Sequence, residues 1–225
     1  MHIPDGFIDL PTSGIFAAAS AAGIALSLKG AKKSLDEKSA PLAGLTATFI
    51  FAVQMLNFPV AAGTSGHLLG GALAAVLVGP YAATLALSVV LLMQSFLFAD
   101  GGLSALGLNI FNMAFIGVWV GYGFFLLIRK LLPKTKSSIT IAASIAGLLS
   151  VPAAATGFVL QYAIGGTATF SVQTVLAAMV GTHVLIGIGE AIITGLAVGA
   201  VMASRSDLVY GWRGNSSLLE IRKSI

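Results

Sequence analysis

Apolar residues in this chain fall into long runs separated by short polar clusters. Runs near the length of about 20 that crosses a bilayer core recur near 13–28, 41–58, 66–80, 81–99, 105–130, 138–160 and 173–203. The pattern predicts an all-α, polytopic transmembrane bundle of about seven helices. The third run is short, follows Gly63-Thr64-Ser65-Gly66 and ends at Gly79-Pro80, where a turn is expected; it reads as a tilted or partly re-entrant helix. The first run has no basic leader and is followed by Lys29, Lys32 and Lys33, as a retained span is, so the N-terminus is expected to be mature. Residues 1–203 read as one bundle without a solenoid repeat. Residues 204–225, polar at Asn215-Ser216-Ser217, read as a cytoplasmic tail.

Charge gives the bundle a direction. All 12 Lys and Arg residues fall in 29–40, in 129–137 or after 204. With seven spans these segments share one side, and the positive-inside rule makes that side cytoplasmic. The N-terminus is therefore expected outside and the C-terminus inside. Merging the third and fourth spans would split the basic segments between the two sides.

Composition narrows the chemistry. A chain that is 57% hydrophobic and 9% charged is far from the roughly 25% charged residues of a soluble domain. The net charge of +4 forms no long basic stripe, so nucleic acid is not an expected partner. Without cysteine, thiolate metal sites and thiol nucleophiles are excluded, and metal ligands must be nitrogen or oxygen groups.

The histidines are at 2, 67 and 183. His2 has an unusual option: the free Met1 amine, the His2 backbone nitrogen and the His2 imidazole can hold one ion in fused chelate rings. A metal that displaces the amide proton meets a planar, strong-field set suited to Ni(II) or Cu(II) rather than tetrahedral Zn(II). His67, in the glycine-rich stretch from Gly63 to Gly71, is the natural fourth ligand because glycines permit a broken helix and close backbone approach. Each has a plainer reading. A residue at position 2 is ordinarily a loose chain end, and His67 alone reads as a hydrogen-bonded histidine at a helix end. Pro4-Asp5-Gly6 followed by Phe7 and Ile8 favours a terminus that folds back onto the bundle.

Met1-His2-Ile3-Pro4-Asp5-Gly6-Phe7, together with Pro59 to Gly71, Phe98-Ala99-Asp100-Gly101-Gly102, Asn109-Ile110-Phe111-Asn112-Met113 and Gly181-Thr182-His183 to Glu190, resembles the NikM/CbiM family. These are the membrane-embedded substrate-capture subunits (S components) of energy-coupling-factor ABC transporters for nickel and cobalt. Pro4-Asp5 and the Thr64-Ser65-Gly66-His67 context look more like the nickel branch. The resemblance implies that Met1, His2 and His67 hold the ion as transported substrate, with no cofactor, and that the N-terminal loop 1–12 enters the pocket where vitamin-binding relatives hold their vitamin. It also implies a prokaryotic plasma membrane, a transmembrane coupling subunit, two ATPase subunits and, as an optional addition, a small accessory membrane subunit.

The remaining polar positions keep two readings each. His183 and Glu190 lie seven residues apart on one helix face. An intramembrane carboxylate costs about 2.5–3.5 kcal/mol on insertion scales and needs a partner; Glu190 reads as a structural hub ahead of a proton relay. Asp100, Asn109 and Asn112 could orient a ligand histidine or cap and bridge helices. Asp5 is a turn former or a partner for His2. Small residues in Ala17–Gly23, Gly117-x-x-x-Gly121 and Gly195-x-x-x-Gly199 suit close helix approach, inside the chain or against a coupling subunit.

No Gly-Lys pair occurs, so there is no phosphate-binding loop and energy must come from partners. The expected function is high-affinity capture of Ni(II), or Co(II), outside the cell and delivery inward, not an enzyme activity. The rival is an autonomous channel or proton-coupled permease, for which only His183 and Glu190 supply ionisable groups within the spans. A metalloenzyme would need His-Glu-x-x-His or an open metal position, and the sequence offers neither.

Overall fold

The computed structural model describes residues 1–35, 37, 39–60 and 64–213. Lys38, Gly63, Arg222, Lys223 and the tail from 214 lie outside the described residues. Seven helices are found among those described: α1 (Leu10–Ser34), α2 (Ala40–Gln54), α3 (Gly71–Val78), α4 (Pro80–Phe98), α5 (Leu106–Leu131), α6 (Lys136–Gly165) and α7 (Val172–Arg205). Two short antiparallel strands, β1 (Phe58–Val60) and β2 (Thr64–Gly66), pair Phe58 with Gly66 and Val60 with Thr64. The chain is thus an all-α transmembrane bundle carrying one small hairpin.

Five of these helices, α1 and α4 to α7, are long and apolar enough to cross a membrane. The expectation of seven spans needs correction at the second and third. The second stops at Gln54, ahead of the hairpin, and the third is helical only over the eight residues of α3. At 1.5 Å per residue α3 covers about 12 Å, less than half a bilayer core. Residues 66–70, expected to be helical, are hairpin end and loop. Gly70 adopts φ +77° and a Cβ there would press on Ile50, which explains why glycine occupies the first corner of this half-helix.

Bilayer burial inverts the usual amphipathic pattern. On α1 the buried residues are Thr12, Ser13, Ser20, Ser27 and Ala31, whereas Leu10, Ile15, Leu26 and Leu28 face outward. Small polar residues permit close helix contact, and lipid solvates the rest. Ser20 Oγ donates to the Gly107 carbonyl at 2.7 Å. The glycine pairs pack internally: Gly117 contacts Leu69, Gly121 meets Ala72 and Ser150, and Gly195 and Gly199 face Ser144 and Thr140 of α6. α5 has a wide π-helical segment, Phe111–Val120, between its α-helical ends.

All eight residues of α3 are buried, packed against α2 and α4 to α7. Its N-terminus is held by Glu190 of α7, whose carboxylate accepts from Leu69 N at 2.9 Å and Gly70 N at 2.6 Å. Gln54 Nε2 donates to the Leu69 carbonyl at 2.7 Å. Glu190 therefore sits where a half-helix exposes unpaired N–H groups and the positive end of its dipole.

The bundle has two unlike ends. Arg213 Nη1 donates to the Ser34 carbonyl at 3.2 Å, and Tyr210 packs at the α3–α4 corner on Gly79. The C-terminal ends of α1, α5 and α7 and the start of α6 thus gather at one end, with every described Lys and Arg. The N-terminal loop, Asp100 and the α6–α7 connection occupy the other.

Glu190→Ala is expected to lower thermal stability in detergent by about 2–6 kcal/mol at most, because one buried and one half-buried backbone donor lose their acceptors at about 1–3 kcal/mol each. Glu190→Gln, which keeps one acceptor oxygen, should cost less. An unchanged melting temperature in Glu190→Ala would contradict the role of this carboxylate.

Candidate metal centre

The N-terminus is not a loose end. Met1 is 0% and His2 3% exposed, and Ile3 is fully buried. The clamp is mainly backbone: Ile3 N donates to Asn109 Oδ1 at 2.7 Å, while the Ile3 carbonyl accepts from Asn109 Nδ2 at 3.2 Å and from Gly102 N at 2.9 Å. One asparagine side chain thus reads the strand-like end as a neighbouring strand would. A Cβ at Gly102 would collide with the Asp5 backbone, so the approach requires glycine.

Residues 4–9 hold this insertion in place. Gly6 turns the chain at φ +73°, and Phe7 packs its ring on Phe158 and Tyr162 at 5.8 and 5.1 Å between centroids. Thr167 N donates to the Phe7 carbonyl at 3.1 Å and Asp9 N to the Gly165 carbonyl at 2.7 Å. Asp9 then caps α1 by accepting from Thr12 N. Asp5 turns to Ser104, whose N and Oγ donate to Oδ1 at 2.8 and 2.6 Å. These bonds hold its carboxyl below the usual carboxylate range. Of the two sequence readings of Asp5, latch of the loop or partner of His2, the contacts are those of a latch.

The partner of His2 is Asp100. Its Oδ1 lies 3.1 Å from His2 Nδ1, and its Oδ2 accepts from Asn57 Nδ2 at 2.9 Å. The Asp100 contact is within ion-pair range but without hydrogen-bond alignment, leaving Nδ1 with no hydrogen-bond partner. His2 Nε2 is 3.3 Å from Gln94 Oε1. Burial pushes the Met1 amine well below its ordinary pKa, opposed by the Asp100 charge. His2 is also lowered, first by burial and then by the adjacent terminal amine, with Asp100 and Gln94 opposing. Burial raises Asp100, but His2, the terminal amine and Asn57 together bring it below its usual value. The pocket thus favours neutral nitrogen bases at its centre and a carboxylate at its edge.

The His67 ring stacks on His2 with centroids 4.6 Å apart and an interplanar angle of 28°. Its Nδ1 is 2.8 Å from the Leu68 carbonyl, which only accepts, so Nδ1 carries the proton and Nε2 presents a lone pair. That Nε2 is buried without a hydrogen-bond partner. Two imidazoles on adjacent corners of a square plane, with metal–nitrogen bonds of about 2 Å, place ring centres about 4.4 Å apart. The observed separation matches two neighbouring ligands. The small interplanar angle means that closing on one ion requires a ring to turn out of the stack.

The other sequence candidates divide. His183 donates from Nδ1 to the Met179 carbonyl at 2.6 Å, and its Nε2 is likewise buried and unpartnered; it and His67 lie within electrostatic reach of the Met1 amine. Asn109 clamps Ile3. Asn112 Nδ2 donates to Gln161 Oε1 at 2.7 Å, bridging α5 and α6, and Glu190 holds the loop that carries His67. Gln54 and Gln94 were not singled out in the sequence, although side-chain amides inside apolar runs are an intramembrane signal. Among the described residues, no three His, Cys, Asp or Glu side chains form a cluster able to hold a metal.

A family model described as the cobalt uptake substrate-specific transmembrane region matches residues 2–208. A putative metal transport protein of Haloquadratum walsbyi is 38% identical over 97% of both chains. A putative fused nickel transport protein of Archaeoglobus fulgidus is 39% identical over 93% of this chain and 68% of its own. A solved structure described as a transition metal transporter superposes with a TM-score of 0.85 at 32% identity, covering 97% of this chain and 99% of the other. With the five membrane-crossing helices, these likenesses identify the chain as a multi-pass membrane protein of the cobalt uptake substrate-specific transmembrane family.

Proposed function

We propose that this chain captures Ni(II), with Co(II) as the alternative ion, through the Met1 amine, the His2 backbone nitrogen, His2 Nδ1 and His67 Nε2. The observation that carries the reading is the burial of a free amino terminus beside two imidazoles, each with a ring nitrogen lacking a hydrogen-bond partner. The central backbone nitrogen of the chelate stands opposite the fourth ligand, so His67 becomes the neighbour of the His2 ring, and the 4.6 Å ring separation suits that position. Displacement of the amide proton gives a strong planar field that a d8 ion exploits better than a d7 ion, which favours nickel. The ion enters as cargo, and its charge replaces the protons that burial already disfavours.

The N-terminal end faces outward in this reading, because the opposite end collects the described Lys and Arg residues. Capture outside, followed by release inside, requires the planar site to be dismantled. Energy comes from a transmembrane coupling subunit with two ATPases, with an accessory membrane subunit as an optional addition. The His67 loop is the element to move, since it is anchored to α7 through Glu190 and to α2 through Gln54.

Two measurements test this assignment. One residue added before Met1 shifts the amine out of chelating reach, so titration of the extended protein should show nickel affinity reduced at least about 100-fold, with helical content retained. His67→Ala should lose a similar amount, beyond the 10–100-fold that outer partners of metal ligands carry. Tight binding by the extended protein would exclude the terminal chelate. The second measurement counts protons. An exposed terminal amine has a pKa of about 7.7–8.0 and stays largely protonated at pH 7, but burial shifts the Met1 amine well below that range, and in this reading it meets the ion in its neutral form. Binding at pH 7 should therefore release about one proton per ion, that of the His2 amide. Calorimetry in buffers of different ionisation heat reads this number. Two protons would mean an amine that stays charged until the metal arrives.

A further inference from the structure

We propose that the groove between α1, α4 and α5 at the basic end of the bundle binds one anionic phospholipid, its phosphate on Lys29 and Lys33 and an acyl chain along the apolar floor. The contacts along α1 frame the groove. At Ala17 the helix lies against the Gly107 backbone, and Ser20 is bonded to the Gly107 carbonyl. At Gly23 the ring of Phe115 fills the space between helices, and at Gly30 the ring of Tyr81 does so. Toward the basic end lies a cavity of about 880 Å³, walled by Phe115, Ile116, Trp119 and Val120 and edged by Lys29 and Lys33. It shares no lining residue with the cavity at His2 and Asp100.

The chemistry of the walls selects the occupant. Lys29 and Lys33 are four residues apart, on one face of α1, and both are exposed. Among the described residues neither has an ion-pair partner, and no carboxylate lines the groove. Two unpaired cations above an apolar channel suit an amphiphile with an anionic head. Tyr81 and Trp119 meet edge to face at 4.9 Å, and Trp119 Nε1 donates to Thr84 Oγ1 at 3.0 Å, which leaves its ring faces for apolar contact. Such aromatic residues mark the headgroup level of a bilayer, and basic pockets between transmembrane helices take anionic headgroups at that level. The groove opens on the face that a bilayer bathes, so lipid is the molecule already present to fill it.

Native mass spectrometry of the detergent-purified chain, with phosphatidylglycerol and phosphatidylcholine as equimolar probes, tests this. One phosphatidylglycerol per chain should be retained in preference to phosphatidylcholine. Lys29→Gln combined with Lys33→Gln should lower that retention about 30-fold, the scale of two lysines at an anionic surface. Val120→Trp, which fills the groove and keeps both charges, should lower it as well. Lys134→Gln with Lys136→Gln removes equal charge at the same end of the bundle and should leave retention unchanged, and nickel titration of each variant should match the parent. Equal retention of the two lipids, an equal loss in the Lys134/Lys136 pair, or full retention in Val120→Trp would each overturn the proposal.

Discussion

A free amino group is normally left in water because burying its charge is expensive. This chain buries its own, with Met1 fully enclosed. That is tolerable because burial favours the neutral amine, and because the backbone next to it is fully engaged. Asn109 offers Ile3 one acceptor and one donor, and Gly102 adds a second donor. Around this constraint the rest of the N-terminal half is arranged. Gly102 must lack a side chain, Asp5 must latch to Ser104, and Phe7 must fill the gap between Phe158 and Tyr162.

The second half of the centre is held from below. His67 belongs to a loop that enters the bundle and continues into a helix of only eight residues. A half-helix in apolar surroundings is stable only where protein satisfies its first N–H groups, and Glu190 does this with both oxygens. His2 and His67 are thus fixed by different elements: the first by α4 and α5, the second by α2 and α7. A two-part site with independent anchors can be assembled tightly and opened by moving one part, which a capture-and-release cycle requires.

Much of this was legible in the sequence. The confinement of basic residues to three segments anticipated one basic end of the bundle, and Gly79-Pro80 anticipated the corner between α3 and α4. His2 and His67 stood out once the absence of cysteine left only nitrogen and oxygen groups as ligands, with three histidines among them. What the sequence concealed has physical reasons. Hydropathy measures transfer into an apolar phase, which a buried half-helix and a crossing helix share, so the run at 66–80 was counted with the spans although its shortness and flanking turns marked it as tilted or partly re-entrant. The hairpin at 58–66 is too short to show a period. The π-helical segment of α5 carries no proline to announce it. Asp100 and Asp5 both precede or follow turns rich in glycine, and only the three-dimensional path of the loop assigns one to His2 and the other to Ser104. The division of labour between Glu190 and His183, seven residues apart on α7, likewise depended on which loop each side chain meets.

The central claim is that the chain terminus and two histidines make a planar four-nitrogen site. The most direct measurement is the visible absorption and magnetic susceptibility of the untagged, nickel-loaded protein. The account predicts a diamagnetic complex with the ligand-field band of square-planar Ni(II) held by nitrogen. A paramagnetic complex with the weak bands of six-coordinate Ni(II) would contradict it.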